Sequence, residues 1–465
     1  MIRIYETKIE KLEDIKKNHR KAVEQIVRKS IEKFKYLDNK YKVIKEENKE
    51  IKSIVEFDEK DKKFLESLLG AEIKNEENLK IYFNKDNKNI DKLAVGKLAD
   101  IFKLYYKAIK ELEEFENIEY DDLEKLFIID NYRKKIIKEI EGDKLKGGKL
   151  ETVKKRKSVL EKYFDNPKYF INLSYFDDEF KKQYNNGDEY LRNKKKFTQT
   201  FKLKNEYQNG IKRVEELNEI LKFIFSYESF QNGENIKING NIKKWDRHML
   251  ISSLNISTCP YCNRQYISNY IDKDLNSNTT ADLDHFYSQS KYPFLALSLY
   301  NFIPSCQICN SRFKLQKDFY LEKHLYPYEE SFGENAWFET DFIKHENGEY
   351  NIDFLFGVSN DFIIDIKVKK DIENELKNKI NNSIDTFNLK EIYKNHIDYV
   401  RELIKKSIVY NESKITELYT QYPELFKNRT EVIQMLVSNY ISDEEDLGKR
   451  PLAKLTMDIC KELGL

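Results

Sequence analysis

Glycine and proline are scarce in this sequence, with 14 and 7 residues among 465. Sandwiches and barrels are dense in turns, so this shortage favours long helices. No stretch approaches the roughly 18 consecutive apolar residues that cross a membrane, and the charged N-terminal segment lacks the apolar core of a signal peptide. We therefore expect a cytoplasmic, mainly α protein of two or three domains.

The sequence also lacks a net charge that would indicate a polyanionic partner, because 82 Lys and Arg residues face 81 Asp and Glu residues. Any nucleic-acid surface must therefore arise locally. The stretch Asn131–Arg213 has 23 basic and 12 acidic residues, with aromatic residues interleaved. Two interpretations stay open: phosphate contact with base stacking, or a solvated helix surface whose aromatics face inward. The interleaved aromatics are Tyr163, Phe164, Tyr169, Phe170, Phe197 and Phe201.

Apolar residues at three-four spacing predict helices over much of residues 1–245, a region we expect to bind a partner, nucleic acid or both. The glycine-rich Gly142–Gly148 predicts a loop without the spacing of a phosphate-binding loop. Towards the C-terminus, Glu346–Tyr350 predicts a hairpin turn and Phe362–Val368 alternates like a half-buried strand. Helical spacing returns from Leu389, so residues 331–465 are expected to form an α+β extension.

Only five cysteines are present, and four of them form two closely spaced pairs. Cys259-Pro-Tyr-Cys262 and Cys306-Gln-Ile-Cys309 have the spacing of two zinc knuckles, which together complete a closed site of four thiolates. A closed site leaves no position for substrate, so we expect one structural Zn²⁺ per chain. Cys460 stands apart and is expected to be a buried apolar residue.

The insert between the two pairs carries the other candidate functional residues. Asp284-His285 is expected to end a short strand, and Asn301 to lie on the returning strand or loop. Asn310 follows the last cysteine, where a helix carrying Arg312 and Lys314 is expected to begin. Strand alternation places Asp282 on the same face as Asp284.

The segments CPYCN, DLDHF and YPFLALSLYNFIPSCQICNSRFK resemble the HNH endonucleases, whose ββα-metal motif is often stapled by two cysteine pairs. The resemblance covers residues 259–314 and is nearest to the HNH proteins of bacterial anti-phage systems, such as the Septu and retron-associated nucleases. It implies a zinc-stapled ββα-metal module at 246–330, set between the helical region 1–245 and the extension 331–465.

The resemblance also implies roles for particular residues. His285 would be the general base, Asp284 and Asn310 would bind a catalytic Mg²⁺ or Mn²⁺, and Asn301 would position the base and its loop. The chain departs from many relatives at Tyr287-Ser288-Gln289, where they have a proline followed by a basic residue. The expected phosphate contacts are Arg264, Lys291, Arg312 and Lys314.

Two functions follow as hypotheses. The first is a metal-dependent endonuclease, DNA preferred, that acts in anti-phage defence beside an ATPase partner, since the chain itself has no Walker motif. The second is a catalytically silent, zinc-dependent module that binds nucleic acid or serves as a scaffold. The intact set of Asp284, His285, Asn301 and Asn310 favours the enzyme, because a scaffold has no need of it.

Overall fold

The computed structural model describes the chain apart from residues 48–49, 77–78, 85–88, 143–148, 167–168, 170, 272–276, 345 and 347–349. It is mainly α with small separate sheets, as the composition predicts. The chain forms two compact units. Unit 1 comprises Met1–Ala22, Glu228–Ser288 and Leu299–Leu465, and unit 2 comprises Val23–Tyr227 and Gln289–Ser298.

These units differ from the three consecutive segments expected from the sequence, because distant parts of the chain pair through their backbones. The Ile2 amide donates to the Pro260 carbonyl at 3.0 Å, and the Ile4 amide donates to the Pro327 carbonyl at 2.7 Å. The first residues therefore belong with the cysteine-bearing part of the chain. Backbone pairing of this kind leaves no periodic signal in the sequence.

Unit 2 is built mostly from helices with buried apolar faces. The helices of this part of the chain, the first of which begins in unit 1, are Leu12–Ile31, Glu59–Leu69, Asn89–Val95, Leu98–Lys110, Tyr120–Gly142, Lys149–Phe164, Asp178–Asn185, Lys194–Thr200 and Asn205–Ile224.

Unit 2 also contains strands that the helical prediction missed. Tyr41 and Phe57 face each other across one antiparallel pair, with rings stacked at 4.8 Å and both side chains buried. The reason is that Lys and Glu alternate with apolar residues here, a period-two pattern masked by the overall abundance of charge. The strands are Lys35–Leu37, Lys40–Glu47, Glu50–Phe57, Ala71–Asn75 and Leu79–Phe83.

The aromatics of the basic stretch are largely core residues of unit 2. Tyr163, Phe197 and Phe201 are buried, and the Phe201 ring stacks on the Phe176 ring at 5.0 Å. The helix of Lys149–Phe164 exposes Lys154 and Lys155 instead. Of the two interpretations of this stretch, the structure favours the solvated helix surface with inward-facing aromatics, although Phe170 lies outside the described residues.

Unit 1 combines short strand pairs with helices. The strand predicted at Phe362–Val368 is confirmed, and it pairs in antiparallel fashion with Ala336–Phe342. The other strands are Glu234–Ile238, Asn241–Trp245, Asn269–Ile271, Ser277–Thr279, Asp282–His285 and Phe302–Ser305. The helices, of which the first begins at the end of unit 2, are Tyr227–Asn232, Arg247–Leu254, Asn374–Thr386, Leu389–Tyr393, Ile397–Val409, Glu412–Gln421, Arg429–Val437 and Ala453–Glu462.

Asn263, the residue after the first cysteine pair, ties that pair to the C-terminal segment. Its buried side chain donates to the Leu447 carbonyl at 3.0 Å and accepts from the Lys454 amide at 3.0 Å. Its backbone has a positive φ of 49°, which asparagine tolerates better than most residues. The C-terminal segment therefore fixes the residue that directly follows the first cysteine pair.

Among the helices that the structure describes, none has the length and apolar character needed to cross a lipid bilayer. Residues 143–148 of the predicted loop and residues 347–349 of the predicted hairpin turn lie outside the described part of the chain.

Candidate metal centre and acidic face

The four paired cysteines come together as the sequence predicts. Cys259, Cys262, Cys306 and Cys309 are all buried, and their sulfur atoms lie within 4.8 Å of one another. The Sγ atoms of Cys262 and Cys306 are 4.0 Å apart. A tetrahedral zinc ion with bonds of about 2.3 Å requires sulfur separations of about 3.8 Å. The cluster could therefore hold a metal ion such as zinc.

The backbone around each pair has the same local arrangement. The amide that follows the second cysteine turns back to the carbonyl of the first: Asn263 N donates to Cys259 O at 2.8 Å, and Asn310 N donates to Cys306 O at 3.1 Å. In the first pair, the Arg264 amide also donates to the Cys262 sulfur at 3.4 Å. An N–H group aimed at a sulfur atom stabilises its thiolate form, which is the form that binds metals.

The electrostatics of the cluster also suit a cation. Burial raises the pKa of the Cys259 thiol, whereas hydrogen bonds from the neighbouring thiols lower the pKa of Cys306. Without a cation, some of the four sulfurs must therefore stay protonated, because several buried thiolates at these distances repel one another. A divalent cation would remove that repulsion and bind all four as thiolates.

The strand Asp282–His285, which we call the Asp-His strand, pairs with the return strand Phe302–Ser305. Asp284 lies opposite Ile303, and His285 lies opposite Phe302. This confirms the short strand expected to end at Asp284-His285.

Asn301 is fully buried and fixes the loop that follows His285. Its side-chain oxygen accepts from the Tyr287 amide at 2.8 Å, and its side-chain nitrogen donates to the Tyr287 carbonyl at 2.9 Å. Its backbone carbonyl accepts from the Phe286 amide at 2.8 Å. These contacts are what a residue that positions the loop next to His285 would make.

The second cysteine pair leads into a π-helical segment, Cys309–Lys314, which we call the lysine turn. Asp282 and Asp284 both face it, as strand alternation predicts. The Asn310 side-chain nitrogen donates to Asp282 Oδ2 at 3.0 Å, and the Lys314 ammonium lies 2.7 Å from Asp284 Oδ1. The structure thus pairs Asn310 with Asp282, whereas the resemblance implied that Asn310 would share a metal ion with Asp284.

Lys314 is not a surface residue, contrary to its expected role as a phosphate contact. Its side chain is 4% exposed and that of Asp284 is 5% exposed. The ammonium group also donates to the His285 carbonyl and lies 4.9 Å from the centre of the Phe319 ring. It points inward because the buried carboxylate needs a counter-charge.

Tyr261 is a site residue that the sequence analysis missed. Its hydroxyl donates to Asp284 Oδ2 at 2.6 Å, and its ring stacks on Phe387 at 4.4 Å. Burial and the charge of Asp284 raise the pKa of Tyr261, so the hydroxyl remains a donor. Its place between Cys259 and Cys262 could have predicted Tyr261 as a site residue, because the knuckle fixes the direction of the residues within it.

His285 lies on the opposite face of its strand from Asp284. Its side chain is 9% exposed, and its ring meets the Phe302 ring edge-on at 5.0 Å. The predicted base and the predicted metal ligand are thus adjacent in sequence but face different sides of the strand.

The remaining predicted phosphate contacts have different surroundings. Arg264 donates to His396 Nε2 at 2.9 Å, and burial together with this guanidinium group lowers the pKa of His396. Arg312 is exposed on the lysine turn. Lys291 belongs to unit 2, where it lines a cavity of 640 Å³ beside Tyr105 and Phe294. The lining of that cavity does not include the acidic residues of unit 1 described above.

Replacing Cys306 with serine is expected to release the zinc ion and abolish the cooperative unfolding of unit 1, because structural zinc contributes on the order of 10 kcal/mol of folding free energy. Elemental analysis and thermal melting measure both effects. The control is Cys460→Ser, since burial raises the pKa of Cys460 to about 12 and keeps it a neutral thiol. A Cys306→Ser protein with one zinc ion and wild-type melting would contradict the assignment.

Replacing Lys314 with methionine is expected to lower the free energy of unfolding by about 3–5 kcal/mol, because it leaves the Asp284 charge buried without its partner. The double variant Lys314→Met/Asp284→Asn removes both charges and should recover most of that loss. Urea unfolding provides the measurement. As a control, Lys8→Met breaks the exposed Lys8–Asp446 pair and should leave the urea midpoint close to that of wild type, because solvent screens an exposed ion pair. A Lys314→Met protein as stable as this control would disprove the buried pair.

No protein-family model, curated protein or solved structure matches this chain. Its chemistry must therefore be inferred from its own residues. Those residues provide four clustered thiols and, beside them, two carboxylates facing an amide and an ammonium group.

Proposed function

We propose that this chain is a metal-dependent endonuclease of the HNH type that hydrolyses phosphodiester bonds of nucleic acid, with DNA preferred. The supporting observation is the acidic face, where Asp282 and Asp284 meet the lysine turn that leaves the cysteine cluster. The HNH resemblance also implies a particular order of elements, namely a strand pair followed by a short helix. This chain has that order, with the cysteine cluster joining the elements.

The donor atoms of the acidic face suit a hard cation. Asp284 Oδ1 and the His285 carbonyl already share one cation, the ammonium group of Lys314, which stands in for a metal ion. Carboxylate and amide oxygens are the ligands that Mg²⁺ and Mn²⁺ prefer. Asp284 and Asn310 would hold the ion, with Asp282 beside Asn310. When bound, such an ion neutralises the charge that develops on a phosphate undergoing hydrolysis.

His285 is the residue suited to activate water. Imidazole has an ordinary pKa near neutrality, so it can accept a proton from an attacking water molecule at physiological pH. It directly follows Asp284 along the chain, and its side chain lies on the opposite face of the same strand. Asn301 supports this role by fixing the Phe286–Tyr287 backbone that leaves His285.

A second candidate function is a zinc-stabilised scaffold that performs no chemistry. One observation favours it: both oxygens of Asp284 already have partners, Tyr261 and Lys314, so the buried charge is neutralised within the protein. The amide of Asn310 is likewise engaged by Asp282. A scaffold would use these contacts permanently, whereas a nuclease would exchange some of them for a metal ion.

Replacing His285 with alanine is expected to lower the cleavage rate by about 10²–10⁴-fold, the usual contribution of a general base. The assay uses plasmid DNA, single-stranded DNA and tRNA, each with Mg²⁺ or Mn²⁺. Zinc content and nucleic-acid binding should stay at wild-type values. His248→Ala is the matched control, because His248 is a half-buried histidine that precedes the first knuckle. Equal cleavage by wild type and His285→Ala would refute the assignment of the base.

We further propose that the nuclease is the effector of a bacterial anti-phage system and is controlled by a separate ATPase in the cytoplasm. An uncontrolled nuclease would damage the DNA of its own cell, and the chain has no Walker motif of its own. Co-expression with the neighbouring genes, followed by purification through a tag on this chain, should recover an ATPase. Full cleavage activity by the isolated chain, without harm to cells that produce it, would argue against such control.

A further inference from the structure

Lys314 has an unusual place for a lysine in a nucleic-acid enzyme. Its ammonium group contacts Asp284 Oδ1 at 2.7 Å and the His285 carbonyl, and both side chains of the ion pair are almost fully buried. The group therefore occupies oxygen ligands that, under the proposed function, a divalent ion would need. The buried location makes the competition strong, because two cations there would repel each other with little screening by water.

We infer that Lys314 is a resident cation that closes the acidic face, and that a divalent ion binds Asp284 only when the Lys314 ammonium leaves. This inference rests on the proposed function, since it concerns the regulation of the same site. It also explains why Asp284, which belongs to a residue pattern typical of a metal site, is already neutralised by Lys314.

The backbone next to Lys314 supports a movable arrangement. The Leu315 amide donates to the Asn310 carbonyl at 3.1 Å, which closes a wide π-type turn around the intervening residues. Leu315 itself has φ 50° and ψ −124°, and the residue is 63% exposed. A leucine in this region is strained, and the exposed side chain contributes little burial to offset that strain.

The strain lies directly after the lysine that must move. π-Helical turns are seldom stable alone and occur frequently at functional sites. Relaxing the turn towards ordinary helix would change the direction of Lys314 without breaking the cysteine cluster, since Cys306 precedes the turn and Cys309 begins it. Release of the Lys314 ammonium from Asp284 therefore needs only a local change of the lysine turn.

Lysine footprinting of wild-type protein tests the inference directly. An amine-acylating reagent should modify Lys314 slowly without divalent ions and at least tenfold faster with saturating Mn²⁺. Mass spectrometry measures the extent of modification. Lys454, which is equally buried in its pair with Asp458, should stay protected in both conditions. Lys60, with 63% of its side chain exposed, should react quickly in both.

Metal affinity provides the second measurement, made by electron paramagnetic resonance of Mn²⁺ without nucleic acid. Lys314→Met is expected to bind Mn²⁺ at least tenfold more tightly than wild type, because the competing cation is gone. Lys317→Met, which removes a nearby lysine bound to Thr386, should bind as wild type does. Lys314→Arg keeps a cation and should show no gain.

The possible outcomes separate the two proposals. If Mn²⁺ binds wild type and Lys314→Met equally, or Lys314 stays as protected as Lys454 with Mn²⁺ bound, the resident-cation inference is overturned and the nuclease proposal stands. If neither protein binds Mn²⁺ at Asp284, the nuclease proposal itself fails. The footprinting uses wild-type protein, so the result does not depend on whether the Lys314→Met variant folds.

Discussion

Four buried sulfur atoms within 4.8 Å of one another impose the constraint on which the functional part of this chain depends. Thiolates at such distances repel, and neutral thiols offer little attraction, so a cation is the natural stabiliser of the cluster. The cluster joins two segments separated by 43 residues of sequence. It also sets where the lysine turn begins, and hence which side chains can reach the Asp-His strand.

The acidic face follows from that constraint. Because Tyr261 lies within the first knuckle and Lys314 ends the turn that leaves the second, each knuckle supplies one partner to Asp284. The same carboxylate is thus linked to both cysteine pairs. A buried charge with two partners is costly to disturb, which gives the site a defined resting state. Exchange of one cation for another at that carboxylate is the step inferred to regulate the proposed activity.

Local patterns in the sequence predicted much of this site. The spacing of the cysteine pairs predicted the cluster, and the alternation around Leu283 predicted the Asp-His strand. The partners of Asp284 were not predictable in the same way. A helix with ordinary spacing was expected after Cys309, and the one-residue difference of a π-type turn alters the direction of Lys314. The joining of Ile2 to Pro260 was equally hidden, because backbone hydrogen bonds do not depend on side-chain identity.

The proposed function and the role inferred for Lys314 together require two separate cation sites, one structural among the cysteines and one exchangeable at Asp284. Anomalous diffraction from crystals that contain zinc and are soaked in Mn²⁺ distinguishes the two sites, because zinc and manganese have different absorption edges. We expect a zinc peak between the four sulfur atoms and a distinct manganese peak bonded to Asp284, with the Lys314 ammonium displaced. A filled zinc site with no manganese at Asp284, and Lys314 still on that carboxylate, would rule out the exchangeable site.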